Sequence, residues 1–188
     1  PHQSVALENH LLDHGVDYRT QGFDTYLMRP EVLLVRGLIA CAHNTFEQIE
    51  RPETRAGILR ALLMFAASFV ETEADSKEDR FKAEQEAIDQ VVQSPSLIHY
   101  FMDNQVLRNA RGGARRHIEA ALNVAHTEAT DILMDRFVRA LAPRELAARV
   151  MVLTDDITQV DANVQGLIAS AATYDHVPSF FRAMNERE

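Results

Sequence analysis

The stretch RELAARVMVLTDDITQVDANVQGLIASAATY, residues 144–174, decides the fold class of this chain. Its large apolar residues are spaced alternately four and three apart, which is the a/d pattern of a helix packed lengthwise against other helices. They are Leu146, Val150, Leu153, Ile157, Val160, Val164, Leu167 and Ala171. The pattern predicts one long helix nearly parallel to its partners. The partners are either helices of the same chain or helices of a second copy, and the spacing leaves both open.

The other faces of this predicted helix carry polar residues that we expect to face solvent. They are Asp155, Asp156, Thr158, Gln159, Asp161, Asn163 and Gln165. Composition agrees with an all-α fold, because seven glycines and six prolines in 188 residues leave few turns. No apolar run has the length of a membrane span. A net charge of −9 disfavours binding to nucleic acid or to anionic membranes.

The segments upstream predict further helices, which gives about seven in a single all-α domain over residues 1–188. Pro30 and Pro52 suit the first position of a helix, where the missing N–H is not needed. Residues 53–71 are apolar around much of the helix and predict the central, most buried one. Residues 1–29 predict no clear element beyond a short helix before Gly15.

Three later segments complete the predicted architecture. Residues 71–93 are highly charged and predict a surface helix that buries only Phe81, Ile88, Val91 and Val92. Ser94 and Pro95 suit the N-cap and first position of the next helix. Gly112 and Gly113 predict a break, and residues 115–141 then predict one long helix. If the seam of residues 144–174 packs on a second copy of the chain, this helix is expected to take part in the same interface.

The order of these elements resembles the ligand-binding part of the tetracycline-repressor (TetR) family of bacterial regulators. The resemblance covers residues 30–175 and rests on RPETRAGILRALLMFAASFVE (51–71), EAIDQVVQSPSLIHYF (86–101) and APRELAARVMVLTDDITQV (142–160). It implies a cytoplasmic homodimer that binds a small apolar or amphipathic effector and regulates transcription without a cofactor. The implied dimer interface consists of Val150, Leu153, Ile157, Val160, Val164 and Leu167.

The resemblance does not extend to the DNA-binding end of that family. Residues 1–30 contain four carboxylates and only two arginines, whereas a DNA-docking face needs several basic side chains to neutralise phosphates. DNA binding by this chain is therefore doubtful. Whether a DNA-binding segment belongs to the protein outside this sequence is left open.

A second group of residues predicts the effector pocket. It consists of aromatic, sulfur-bearing and imidazole side chains on helices that are expected to converge. They are Phe65, Phe69, His99, Phe101, Met102, His126 and Met134. The same residues also suit an ordinary core, and we expect that role for most of them.

Histidines at helical spacing raise the alternative of a metal site. His43 and Glu47 are four apart, which places both on one face if the helix continues. With His126 and Asp131 they are similar to fragments of the hemerythrin motif of di-iron bundles, and His10 or His14, themselves four apart, are candidates for a further ligand. The repeated HxxxH of that family is missing, so this remains an alternative to effector binding. A helical protein-interaction module is a third possibility. The sequence contains no GxSxG, glycine-rich phosphate loop or HExxH motif, which favours a binding protein over an enzyme.

Overall fold

A computed structural model describes residues 26–73, 76–125 and 130–186, together with His10, Leu11, His14 and Val16. The side chains of residues 130–132 are not part of the description. The described residues form helices and no strand, so the predicted all-α fold is confirmed. Most of the N-terminal segment 1–29 lies outside the described residues.

The helices are α1 Pro30–His43, α2 Pro52–Phe65, α3 Lys77–Gln93, α4 Ile98–Phe101, α5 Ala114–Val124, α6 Thr130–Leu141, α7 Pro143–Val150, α8 Thr154–Ala171 and α9 Val177–Glu186. The 3-10 turns are Tyr26–Met28, Phe46–Gln48 and Pro95–Leu97, and α4 continues as a π-helical turn, Met102–Leu107. None of the described helices is both long enough and apolar enough to span a bilayer.

Prolines begin three of the helices. Pro30, Pro52 and Pro143 occupy the first positions of α1, α2 and α7. Proline is tolerated there because the first amides of a helix have no intrahelical acceptor, and its fixed φ already suits the helix. The predicted starts at Pro30 and Pro52 are therefore confirmed. Ser94 precedes a 3-10 turn and its side chain accepts no capping hydrogen bond, so it does not act as predicted.

The most buried helix is α1, and the prediction that residues 53–71 would hold this place is wrong. Every residue of α1 from Glu31 to Cys41 is buried, because α1 contacts α2 on one side and α5 and α8 on others. Helix α2 keeps an exposed face and ends at Phe65. Beyond it, Ala67 adopts a positive φ of 48°.

Residues 115–141 form two helices, and the prediction of one long helix is wrong. Helices α5 and α6 pack side by side. The ring of His117, near the start of α5, lies 3.3 Å from the carbonyl oxygen of Ala140, near the end of α6. Its other ring nitrogen lies 3.4 Å from a carboxylate oxygen of Glu145 on α7. A contact between the start of one helix and the end of the next requires the chain to reverse between them.

The seam of residues 144–174 is also divided. Helix α7 ends at Val150, and the backbone is extended at Met151 and Leu153 before α8 begins at Thr154. The two helices pack against each other. The prediction of one long, unbroken helix is therefore wrong. Asp155 and Asp156 lie in the first turn of α8, where carboxylates interact favourably with the helix dipole.

The predicted break before α5 is confirmed. Gly112 and Gly113 both have positive φ, at 58° and 80°, a region that side chains with a Cβ disfavour. This geometry turns the chain from the π-helical turn into α5. In α3, Ile88, Val91 and Val92 are buried as predicted, but Phe81 is exposed.

Helix α9 has no counterpart among the predicted elements. Its apolar residues Val177, Phe180, Phe181 and Met184 are buried, and their spacing forms a single stripe along the helix. The helix therefore closes one side of the core with the last described residues of the chain.

Cys41 in α1 provides a test of how tightly this core is packed. The thiol is free and buried, and burial raises its pKa from 9.0 to about 12. In the unfolded chain this thiol ionises near pH 9, whereas in the folded chain it stays protonated to about pH 12. The contribution of the buried thiol to the free energy of unfolding is therefore complete below pH 9 and decreases as the pH rises above 9. We expect wild type to lose about 1 kcal/mol more than Cys41→Ala between pH 8 and pH 10. Urea denaturation of both proteins at both pH values measures this difference.

The same thiol is expected to react with a disulfide reagent at pH 8 only when urea unfolds the chain. Rapid modification of the native protein would contradict the packing of α1 described above.

Candidate functional site

Asn163 on α8 forms the centre of a group of buried polar contacts. Its side-chain oxygen accepts hydrogen bonds from Arg29 Nη1 at 2.7 Å and from Gln159 Nε2 at 2.8 Å. Its amide nitrogen donates to the carboxylate of Glu31. The hydroxyl of Tyr26 donates to the backbone oxygen of the same asparagine at 2.8 Å. One residue thus joins α8 to α1 and to the 3-10 turn before it, and the prediction that Asn163 faces solvent is wrong.

Arg36 forms a second set of buried contacts from the middle of α1. Its side chain has no exposed surface. Nη2 donates to Asn185 Oδ1 on α9 at 2.7 Å, and Nη1 lies 3.5 Å from the carbonyl oxygen of Leu27. The amide of Asn185 in turn lies 3.4 Å from the carbonyl oxygen of Gln48. The guanidinium therefore links the C-terminal helix to both 3-10 turns that flank α1.

We call these residues the interior polar cluster. Its members are Tyr26, Arg29, Glu31, Arg36, Gln159, Asn163 and Asn185. Burying a charged group is costly when its hydrogen-bonding groups have no partners. In this cluster Glu31 accepts a hydrogen bond from Asn163, and Arg36 donates one to Asn185. Arg29 also lies over the ring of Tyr26, with 5.7 Å between the guanidinium carbon and the ring centre. The arrangement fixes how the three helices sit against one another.

The cluster reaches the surface at a cleft beside α9. This cleft has a volume of about 410 Å³ and is lined by Gln48, Glu50, Arg182, Asn185 and Glu186. We call it the C-terminal cleft. Asn185 belongs to both features, because this residue lines the cleft and its side-chain oxygen accepts the hydrogen bond from Arg36. Cationic, anionic and amide groups are thus available to one bound molecule.

The residues predicted to line an effector pocket are divided between core and surface. Phe65, Phe101, Met102 and Met134 are buried in the core. Phe69 is 45% exposed, and its ring lies 5.2 Å from the guanidinium carbon of Arg111. Phe69 therefore does not line an interior pocket.

Two histidines complete the predicted pocket set. His99 is exposed, and its ring nitrogen lies 3.4 Å from the side-chain oxygen of Asn44. His99 therefore lies at the surface and does not line an interior pocket. His126 lies outside the described residues.

The predicted metal ligands are not brought together in the described part of the chain. Helix α1 ends at His43, and Asn44 follows with a φ of 53°, so Glu47 does not share a helical face with His43. Glu47 is exposed in the following 3-10 turn. The side chains of His126 and Asp131 are outside the description. Among the described residues, no group of three or more histidine, cysteine or carboxylate side chains forms a cation site.

The predicted dimer residues fall into two sets. Val160, Val164 and Leu167 are buried against helices of the same chain. Their position agrees with the alternative in which the seam packs within one chain. Val150 and Ile157 are partly buried, and Leu153 is 63% exposed. Only the first half of the seam is therefore accessible to a second copy.

Comparison with protein-family models, with curated proteins and with solved structures finds no match to this chain. The resemblance to TetR regulators thus remains a prediction from the order of elements and their apolar pattern.

The apolar pattern of the sequence does not predict the interior polar cluster, although the sequence contains one sign of it. Glu31 and Arg36 are the only charged residues in PEVLLVRGLIACA, residues 30–42. Because such a run is apolar on all sides of a helix, its charged residues are expected to be buried with partners. No comparable sign marks Asn163, since it lies among other polar residues in α8.

Proposed function

We propose that this chain is a small-molecule-binding regulatory domain, related in design to the effector-binding part of TetR regulators and active as a homodimer in the cytoplasm. The observation that carries the proposal is the position of Asn185. Its side chain lines the C-terminal cleft and is also the hydrogen-bond acceptor of the buried Arg36. A molecule bound in the cleft is therefore separated from the buried Arg36 only by the side chain of Asn185.

The size and chemistry of the cleft support a small amphipathic ligand. Ligand sites commonly have volumes of about 300–1,000 Å³ and a few convergent polar groups, and the cleft measures about 410 Å³. Arg182 suits a carboxylate on the ligand, whereas Glu50 and Glu186 suit an amine. The amides of Gln48 and Asn185 suit neutral donors and acceptors.

The interior polar cluster supports a regulatory role. Apolar residues of similar volume often stabilise a core as well as buried ions do, so stability alone does not explain Arg36 and Glu31. Buried polar contacts do favour one specific arrangement of helices. A ligand that draws Asn185 away from Arg36 changes the contacts between α9 and α1, and occupancy of the cleft is thereby coupled to helix position.

The homodimer in this proposal uses the accessible half of the seam. Val152 is 95% exposed and Leu153 is 63% exposed, both in the extended link between α7 and α8. Partly buried Val150 and Ile157 flank them. Large apolar side chains at one place on a surface are typical of an interface. The cytoplasmic location rests on Cys41, a free thiol in a chain that has no second cysteine.

A protein-interaction module is the second candidate. Leu97 and Tyr100 are exposed and three residues apart where the 3-10 turn enters α4. Leu97 also lines a separate surface cleft of about 430 Å³ with Asp89, Gln90, Gln93 and Ser94. A partner helix with apolar residues at helical spacing would fit such a surface.

A thermal-shift screen with small amphipathic acids, amines and amino acids tests the effector proposal. A ligand present at about 100 times its Kd stabilises the folded state by about 2.7 kcal/mol, which corresponds to a rise in Tm of roughly 5 °C or more for a chain of this size. We expect at least one compound to produce such a rise.

Two variants locate the binding. Arg182→Gln removes a cleft charge and is expected to abolish the rise in Tm for a carboxylate-bearing hit. Arg60→Gln removes an exposed arginine on α2, outside the cleft, and is expected to preserve it. A carboxylate-bearing hit that raises the Tm of both variants equally would exclude the C-terminal cleft as its binding site.

A further inference from the structure

Two histidines lie side by side near the beginning of the chain. The centres of the His10 and His14 rings are 4.1 Å apart, and the ring planes are inclined by 42°. The backbone amide of His14 donates to the carbonyl oxygen of His10 at 3.2 Å, which is the i to i+4 contact of one α-helical turn. This turn places both side chains on one face. We call these two residues the histidine pair.

The ring of His14 is held by a hydrogen bond to the backbone. Its Nδ1 atom lies 2.8 Å from the carbonyl oxygen of His10. A carbonyl oxygen only accepts hydrogen bonds, so Nδ1 carries the proton and donates it. In the neutral ring the lone pair is then on Nε2. A histidine that binds a metal through one ring nitrogen usually donates from the other to a carbonyl or a carboxylate, and His14 already has this arrangement.

We propose that the histidine pair binds one divalent transition-metal ion of the class that imidazole prefers, such as Ni²⁺, Cu²⁺ or Zn²⁺. An imidazole nitrogen lies about 2.0–2.1 Å from a bound zinc ion, so two nitrogens on one ion are at most about 4.2 Å apart. The 4.1 Å between the ring centres is a similar distance. Both side chains are exposed, and exposed side chains rotate quickly about their own bonds. Such rotations direct one nitrogen of each ring towards the ion.

The chemistry of the pair determines which ions bind and how firmly. The net charge of −9 attracts every dication to the chain, but imidazole nitrogens select transition metals over Mg²⁺ and Ca²⁺, which prefer oxygen ligands. Two side chains leave the other coordination positions to water, whereas a structural zinc site has four protein ligands. The ion therefore exchanges with the solution, and a chelator removes it.

This site differs from the two sites considered above. His10 and His14 do not line the C-terminal cleft, so the proposal does not rest on the proposed function. It also does not use His43 or Glu47, which the end of α1 separates. Both ligands come from one local turn, and the site needs no particular packing of the later helices.

Isothermal titration calorimetry of the untagged, chelator-treated chain with nickel chloride and with magnesium chloride tests the proposal. We expect saturable binding of Ni²⁺ and no binding of Mg²⁺ over the same concentrations. Loss of a hydrogen-bond partner of a metal ligand typically weakens binding about 10–100-fold. Loss of a ligand itself, in His10→Gln or in His14→Gln, is therefore expected to weaken Ni²⁺ binding at least about tenfold.

The matched control is His99→Gln. It removes another exposed histidine, whose ring lies 3.4 Å from the side-chain oxygen of Asn44, and which has no histidine four residues away. We expect it to leave the Kd for Ni²⁺ within about twofold of wild type. Circular dichroism shows that each variant keeps its helices. The proposal is overturned if wild type shows no saturable Ni²⁺ binding, if Mg²⁺ binds equally well, or if the three variants have equal Kd values.

Discussion

Replacing Arg36 with methionine is expected to lower the free energy of unfolding by about 3 kcal/mol. Methionine fills much of the volume of the arginine stem but has no hydrogen-bond donor. Asn185 Oδ1 would lose its 2.7 Å contact, and the carbonyl oxygen of Leu27 its 3.5 Å contact, inside the core. Urea denaturation followed by circular dichroism measures the change.

Two further variants show whether the loss comes from these buried contacts. Arg60→Met removes an exposed arginine from α2, whose guanidinium bonds Gln85 at 3.0 Å, and is expected to change stability by less than about 0.5 kcal/mol. The double variant Arg36→Met/Asn185→Leu removes both polar partners. Its free energy of unfolding is therefore expected to fall by less than the sum of the losses in the two single variants. A stability of Arg36→Met equal to that of Arg60→Met would contradict the buried position of Arg36.

Replacing Gly37 with alanine is expected to lower the free energy of unfolding by about 2 kcal/mol, because the new methyl group overpacks the contact between α1 and α2. A Cβ on Gly37 would overlap Cγ2 of Ile58. Ile58 is fully buried and β-branched, so this methyl has little freedom to move away. The gain in helix propensity, about 1 kcal/mol, is smaller than the cost of this overlap.

Gly57→Ala is the matched control, since it adds the same methyl to a helical glycine at the same interface. There the Cβ would lie 3.0 Å from Leu33 Cδ1, the far end of a flexible side chain. We expect Gly57→Ala to be neutral or to stabilise the fold by up to about 1 kcal/mol. The double variant Gly37→Ala/Ile58→Ala is expected to lose less free energy of unfolding than the single variants Gly37→Ala and Ile58→Ala lose together. Equal stabilisation by both alanines would contradict the close approach at Gly37.

The sequence predicts helix starts and breaks well where a residue's own backbone restriction determines them, and poorly where an apolar pattern continues past the end of a helix. Pro30, Pro52 and the Gly112–Gly113 turn act through their own backbone restrictions, so each could be assigned from local chemistry. The seam from Leu146 to Ala171 predicts one helix wrongly, because its apolar spacing continues through a chain reversal that periodicity does not detect. Asp155 and Asp156 are the local sign of the second helix start, since carboxylates favour the first turn of a helix.

The candidate site was less accessible to sequence reasoning. The buried environment of Asn163 depends on α1, which is more than 100 residues away in the chain. Helix α9 brings Asn185 to Arg36 across a similar separation. Apolar residues such as Phe65 and Met134 were correctly expected to be buried, yet their chemistry does not distinguish a core from a pocket. The Glu31 and Arg36 charges were the one local sign of the cluster.

Native mass spectrometry near neutral pH, with and without a carboxylate-bearing hit from the thermal-shift screen, shows directly whether this chain is a ligand-binding homodimer. We expect a dimer of twice the chain mass of 21.2 kDa that gains the mass of one ligand per chain. We also expect Arg182→Gln to remain a dimer but to lose the ligand. A chain that stays monomeric and binds no screened compound, or that carries transition-metal ions instead, would contradict the proposed function.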